Sequence, residues 1–143
     1  IKSRPEERVV IMGATNRPWD LDPAIIRRFE RRIYVPLPDL EARKEIFRIH
    51  LKGIELANDV DIDELAELTA GYSGSDIRLV CREAAMEPVR ELIEEVGVPE
   101  EGEVKLRPVC KEDFIKALRR IKPVVKPSDV RRYLEWAEKY GEL

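Results

Sequence analysis

The sequence predicts a short α/β segment followed by an all-helical unit, on three observations. Val9, Val10, Ile11 and Met12 stand in a row ahead of Gly13-Ala-Thr-Asn, the pattern of a strand covered on both faces. A second apolar stretch, residues 33–37, is closed off by Pro36 and Pro38. From Asp39 onward the apolar spacing becomes helical and stays so, which puts the boundary between the two parts at Pro38.

The elements follow in order. Residues 1–7 are polar and carry Pro5, so structure is expected to begin with a strand over 8–13. Residues 16–23 hold two prolines and two aspartates, a loop by composition. Asp22 can cap a short helix that opens on Pro23 and runs to Arg28. The strand over 33–37 comes next. Asp39 then caps a helix through His50, with Ile46, Phe47, Ile49 and Leu51 broadening its stripe. A short helix is predicted over 61–69. The turn Gly71-Tyr-Ser-Gly-Ser-Asp leads into the longest helix, capped by Ser73 or Ser75 and running to Val96, where Pro88 should kink it. Residues 97–109 read as an acidic connection with a brief extended piece at 104–106. Helices over 111–121 and 128–140 complete the chain, the last stopping at Gly141.

Composition bounds the function. The chain has 143 residues, enough for one domain or for a small domain with part of another. It is 43% hydrophobic, which supports a core, and its net charge is −3 with both signs intermingled. That balance disfavours a nucleic-acid-coating protein; Arg119, Arg120 and Lys122 are the best basic cluster available for one. No apolar run approaches a membrane span and no signal peptide opens the sequence, so a cytoplasmic location is expected. Cys81 and Cys110 are too few for a zinc site, so no metal site is expected. Cys81 reads as a buried thiol, and spacing leaves a bridge to Cys110 open. Charged residues make up 38%, Gln is absent and Asn occurs only at 16 and 58, a profile that resembles a hyperthermophile's.

Few residues stand out for chemistry. Asn16, at the end of a predicted strand, can orient a water or hydrogen-bond a terminal phosphate, or it can simply cap the turn before Pro18. Arg27 and Arg28 can grip a phosphate bidentately, or belong to a solvated, salt-bridged surface. Arg31 and Arg32 are read as pairing with carboxylates and steadying the chain. His50, the one histidine, is by itself a half-buried packing residue. Gly71–Asp76 is a helix start with small residues, suited to close approach by an anion or a flat base.

Three stretches occur in a telling order and spacing: Gly13-Ala-Thr-Asn-Arg-Pro-Trp-Asp-Leu-Asp-Pro-Ala, Arg27-Arg-Phe-Glu-Arg-Arg-Ile-Tyr-Val-Pro-Leu-Pro-Asp, and Gly71-Tyr-Ser-Gly-Ser-Asp-Ile. Together they resemble the second half of an AAA ATPase module. The Pro-Trp-Asp after Asn16 and the closing Pro127-Ser-Asp-Val-Arg-Arg-Tyr-Leu-Glu-Trp-Ala-Glu-Lys-Tyr-Gly are similar to the branch of katanin, spastin, fidgetin and the ESCRT-disassembling vacuolar sorting ATPases, archaeal relatives included. The resemblance covers residues 8–141.

That resemblance implies a fold and a set of roles. Residues 1–38 match the C-terminal strands of a P-loop-type parallel sheet in the large subdomain, and 39–143 an all-α lid with a C-terminal helix that folds back onto the large subdomain and helps ring assembly. Asn16 matches the sensor-1 residue, and Arg27 and Arg28 the arginine fingers that enter the next subunit's ATP site. His50 matches a position that contacts ribose or base, and Gly74 and Ser75 lie in the segment packed near adenine. The implied function is ATP hydrolysis, with Mg2+, coupled to remodelling or disassembly of protein complexes by a homo-oligomer, expected to be a hexamer.

The chain also departs from the pattern. It has no Gly-x-x-x-x-Gly-Lys-Ser/Thr and no apolar strand ending in Asp-Glu, so alone it is expected neither to hydrolyse ATP nor to bind nucleotide tightly. Residues 97–109 leave no room for the β-insertion of eukaryotic vacuolar sorting members. A second reading is a free-standing helical interaction module without catalysis. The strands at 8–13 and 33–37, without the rest of their sheet, are expected to be disordered or paired between copies.

Overall fold

The computed structural model describes residues 9–97 and 105–141 and is mostly helical. Six helices follow one another: α1 Pro23–Arg28, α2 Leu40–His50, α3 Ile62–Leu68, α4 Gly74–Val96, α5 Lys111–Arg120 and α6 Pro127–Tyr140. A 3-10 turn, Pro18–Asp20, precedes α1. The chain forms two compact units, one of Val35–Asp129 and one joining Ile1–Tyr34 to Val130–Leu143. The last helix thus groups mainly with the N-terminal segment.

In the Val35–Asp129 unit, α4 packs against α2 and α5, and α3 packs against α2. Phe47 from α2, Ile77, Val80 and Ala84 from α4, and Phe114 from α5 are fully buried, with Leu65 and Ala66 of α3 beside them. The helix starts are fixed by local chemistry. Asp39 accepts from the Ala42 N–H at 2.8 Å, and Asp61 from the Asp63 N–H at 2.8 Å. Of the two candidates at α4, Ser73 is the cap: its Oγ faces the Asp76 N–H at 3.2 Å, while Asp76 accepts from the Ser73 N–H at 2.9 Å. Gly71, at φ +83°, makes the turn just before this cap, a conformation that L side chains rarely adopt. Pro88 is buried within α4, and the helix continues through it to Val96.

The expected strands do not form. Among the described residues the regular pairing reduces to isolated bridges, one of them parallel between Leu56 and Val109. Residues 9–13 are irregular, with Val10 87% and Met12 90% exposed, and Val35 is 81% exposed. A strand built to be covered on both faces needs neighbouring strands, and nothing here supplies them. Residue 8, and most of the connection expected over 97–109, lie outside the described residues.

Two ion-pair clusters fasten α4 to α5 and to the segment before it. The buried Glu87 carboxylate meets Arg90 and Arg120, each at 2.5 Å, while Glu83 pairs with Arg90 at 2.9 Å and Arg120 at 3.4 Å. Arg107 bridges two carboxylates bidentately: Glu91 at 2.6 and 2.7 Å, and the buried Asp113 at 2.7 and 2.9 Å. Asp113 also accepts from the Cys110 N–H at 2.9 Å and so caps α5. Burial pushes both Asp113 and Glu87 upward, but their arginines outweigh it and hold each carboxyl below its ordinary value.

Phe114→Ala should cost about 3–5 kcal/mol, read from urea unfolding, because it empties a fully buried ring site at the α4–α5 contact. Acid should also weaken this unit. Because folding lowers the pKa of Asp113 and Glu87, the unfolded chain binds more protons over that interval. Their contribution is complete above the ordinary values of 3.8 and 4.5 and is lost as pH falls through the lower folded values. Urea midpoints should therefore drop on acidification below about pH 5, and less steeply in Asp113→Asn than in the unaltered chain.

Candidate functional site

The first group of candidate residues lies in the unit that joins the N-terminal segment to α6. Asn16 is exposed in the bend ahead of the 3-10 turn. The bend is held locally: the Arg17 N–H donates to Thr15 Oγ1 at 3.0 Å, and Arg17 pairs with Asp20 at 2.7 Å. It is also held from a distance, since the Tyr133 hydroxyl donates to the Asn16 main-chain carbonyl at 2.5 Å. The Tyr133 ring lies 5.1 Å from Trp19 and 6.3 Å from Tyr34, and the Arg132 guanidinium sits 3.8 Å over Trp19.

Arg27 and Arg28 occupy the last turn of α1, both exposed. Asp22 caps the start of this helix, accepting from the Ala24 N–H at 2.7 Å. Cations at a helix C-terminus are favoured by its dipole, so two arginines there cost the fold little. Arg32 steadies the chain as expected, though through carbonyls rather than carboxylates. Its Nη1 donates to the Ile26 and Phe29 carbonyls at 2.8 and 3.1 Å, and its Nε donates to the Tyr140 carbonyl.

The second group lies in the Val35–Asp129 unit. Gly74, the first residue of α4, lines a shallow depression of about 410 Å³ with Pro36, Pro38, Asp39, Ala42 and Ile46. A Cβ at Gly74 would stand 3.6 Å from Ile46 Cδ1, so the glycine keeps this floor open. His50 ends α2, half-buried, one turn beyond Ile46 on the same helical face. Ser75 is exposed on the first turn of α4. Sequence reasoning placed Ile46 only in the apolar stripe; its four-residue spacing from His50 was the signal that it shares that face.

Electrostatics decide what the start of α4 can take. Asp76 is buried, and its carboxylate accepts from both the Ser73 N–H at 2.9 Å and the Ser73 hydroxyl at 2.8 Å. The helix start therefore already holds a negative charge, and a phosphate there would meet like charge.

Other candidates have structural employment. Burial pushes the Cys81 thiol up to about 12, which keeps it protonated and unreactive, and both cysteines are free. Arg120 is engaged by Glu83 and Glu87, and Lys122 donates to the Leu118 carbonyl at 3.1 Å. These contacts draw two cations out of the basic cluster weighed for nucleic acid. No described helix is long and apolar enough to cross a membrane.

Known proteins resemble the chain along nearly its whole length. Residues 2–37 match the ATPase family associated with various cellular activities, 59–100 the AAA+ lid domain, and 81–141 the Vps4 C-terminal oligomerisation domain. A cell division cycle protein 48 homologue of Archaeoglobus fulgidus is 48% identical over 94% of this chain and 19% of its own length. Katanin p60 ATPase-containing subunit A1 of Arabidopsis thaliana is 41% identical over 93% of this chain and 26% of its own. The crystal structure of the FIGL-1 AAA domain in complex with ADP superposes with a TM-score of 0.86 at 38% identity, covering 98% of this chain and 48% of that one. The chain thus spans about a fifth to a quarter of the curated relatives' length. The order of the three matches and the likeness to the FIGL-1 domain align the chain with the C-terminal part of an AAA ATPase module.

Proposed function

We propose that this chain supplies the trans-acting and lid residues of a ring-forming AAA ATPase that uses ATP hydrolysis to remodel or disassemble protein complexes. The observation that carries the reading is the pair of exposed arginines at the end of α1, held on a braced backbone within the stretch that matches the ATPase family. In the assembled protein, Arg27 and Arg28 reach the triphosphate held by the neighbouring subunit and neutralise the charge that develops as the terminal phosphoryl leaves. Asn16 offers its amide to that phosphoryl group or to the attacking water.

In this reading, residues 1–38 belong to the large subdomain and the helices after Pro38 form the lid. Gly74 and Ser75 face the base across the depression floored by Ile46, and His50 reaches the ribose or base. That the FIGL-1 AAA domain, which this chain resembles, was solved in complex with ADP supports adenine-nucleotide binding by the intact protein. Mg2+ assists the phosphoryl transfer when bound, and the residues present here bring guanidinium and amide groups rather than its ligands. The match to an oligomerisation domain supports a homo-oligomer, with six subunits expected and a protein as substrate. The amide-poor composition and the Archaeoglobus relative support a heat-adapted archaeal source.

The test is made on the intact protein that carries this chain. Arg27→Ala or Arg28→Ala should lower ATP turnover by on the order of 10³ while nucleotide affinity is retained. Turnover within a few-fold of the unaltered protein overturns the trans role. This 143-residue chain alone should show no ATPase activity above buffer.

Gly74→Val separates the lid reading from folding. Its side chain extends toward Ile46 and fills the floor of the depression, so adenine nucleotide should bind about tenfold more weakly. The unfolding midpoint of the lid should fall only slightly, because the site opens to solvent.

A further inference from the structure

Helix α6 reaches the bend that bears Asn16 directly and the end of α1 through Arg32. Midway along it, Tyr133 donates to the Asn16 carbonyl; two turns later, the Tyr140 carbonyl accepts from Arg32, which also holds the Ile26 and Phe29 carbonyls at the end of α1. We infer that Tyr133 is a positioning residue for Asn16: its phenol pins the main chain of the hydrolysis turn and so aims the amide. The inference rests on the reading of Asn16 given above.

The geometry favours positioning over simple packing. The bond goes to the carbonyl of Asn16, which anchors the peptide and leaves the side chain exposed to the site it would serve. The direction of the phenol is set independently, by the Trp19 ring at 5.1 Å on one contact and the Tyr34 ring at 6.3 Å on another. Arg132, on the same helix, covers Trp19 and fixes the far end of the turn. A phenol whose ring is stacked on Tyr34 and tilted against Trp19 is a restrained reference, and a carbonyl tied to it moves less than one in a free loop. Catalytic groups lose rate steeply when displaced by fractions of an ångström, so the bond matters for turnover more than for binding. Tyr133 also lies within the stretch that matches an oligomerisation domain, so whatever shifts α6 on assembly reaches Asn16 through one hydroxyl.

The experiment compares Tyr133→Phe, Asn16→Ala and the double variant in the intact protein, by ATP turnover, sedimentation and tryptophan fluorescence. Phenylalanine keeps the ring stack and removes only the donor. Tyr133→Phe should lower kcat about tenfold with KM for ATP, ring assembly and Trp19 emission unchanged, and should add nothing further in the Asn16→Ala background. Unchanged kcat in Tyr133→Phe, where Asn16→Ala loses turnover, overturns this inference and leaves the role of Asn16 standing. So does a loss that is additive with Asn16→Ala, or one that arises from failed assembly. Full turnover in Asn16→Ala removes the role of Asn16 itself and the inference with it.

Discussion

The stripe of Ile77, Val80, Cys81 and Ala84 along α4 is the surface on which the lid is assembled. Helices α2 and α5 both pack against this one helix, bringing Phe47 and Phe114 to its buried face. Its first residue, Gly74, forms part of the candidate base site, so the packing that stabilises the lid also sets the position of that floor. On its other flank α4 carries Glu83, Glu87 and Glu91, which pair with Arg120 of α5 and Arg107 of the segment before it, while Arg90 of α4 itself holds Glu83 and Glu87. Hydrophobic burial supplies the drive and is tolerant of register; the charged flank is not. Removing Arg120 would leave the buried Glu87 carboxylate to Arg90 of its own helix and to Lys116 at 3.8 Å, so the close ion pair between α4 and α5 disfavours slipped placements of α5.

The two groups of candidate residues have different mechanical settings. His50, Gly74 and Ser75 sit on regular helices whose ends are capped by Asp39 and Ser73 and whose faces are buried. Asn16 sits on an irregular bend and Arg27 and Arg28 on a helix of barely two turns, so neither draws its position from a core. What holds them is borrowed from elsewhere in the chain: carbonyls tied by Arg32, and the aromatic contacts of Tyr133 and Trp19. The proposed role in trans requires these side chains to be exposed, and exposure removes the usual means of fixing a side chain.

What could be read from the sequence follows the range of the interaction involved. Asp22 and Asp39 cap helices that begin where the sequence placed them, Ser73 rather than Ser75 caps α4, and α3 begins at Ile62, after an Asp61 cap that the reading of 61–69 had counted as helix. The strands at 8–13 and 33–37 were over-read, because an apolar run states a preference for cover without supplying the sheet that provides it. The Tyr133 contact to Asn16 joins residues 117 apart, and no local pattern announces it. Arg107 was read only as part of a connection, because its value depends on Glu91 and Asp113 converging on it from α4 and α5. The depression beside Gly74 was legible in part: the small residues gave its edge, and Ile46 emerged only with the packing.

The parallel bridge between Leu56 and Val109 is small, two hydrogen bonds of 2.9 Å from the Ala57 and Val109 N–H groups, yet it joins the chain ahead of α3 to the chain ahead of α5. Closing a loop of roughly fifty residues costs conformational entropy that two such bonds do not offset by themselves. The clasp therefore depends on the packing of α3 and α4 against α2 to hold its two ends together, and in return it ties the chain ahead of both flanking helices into one place.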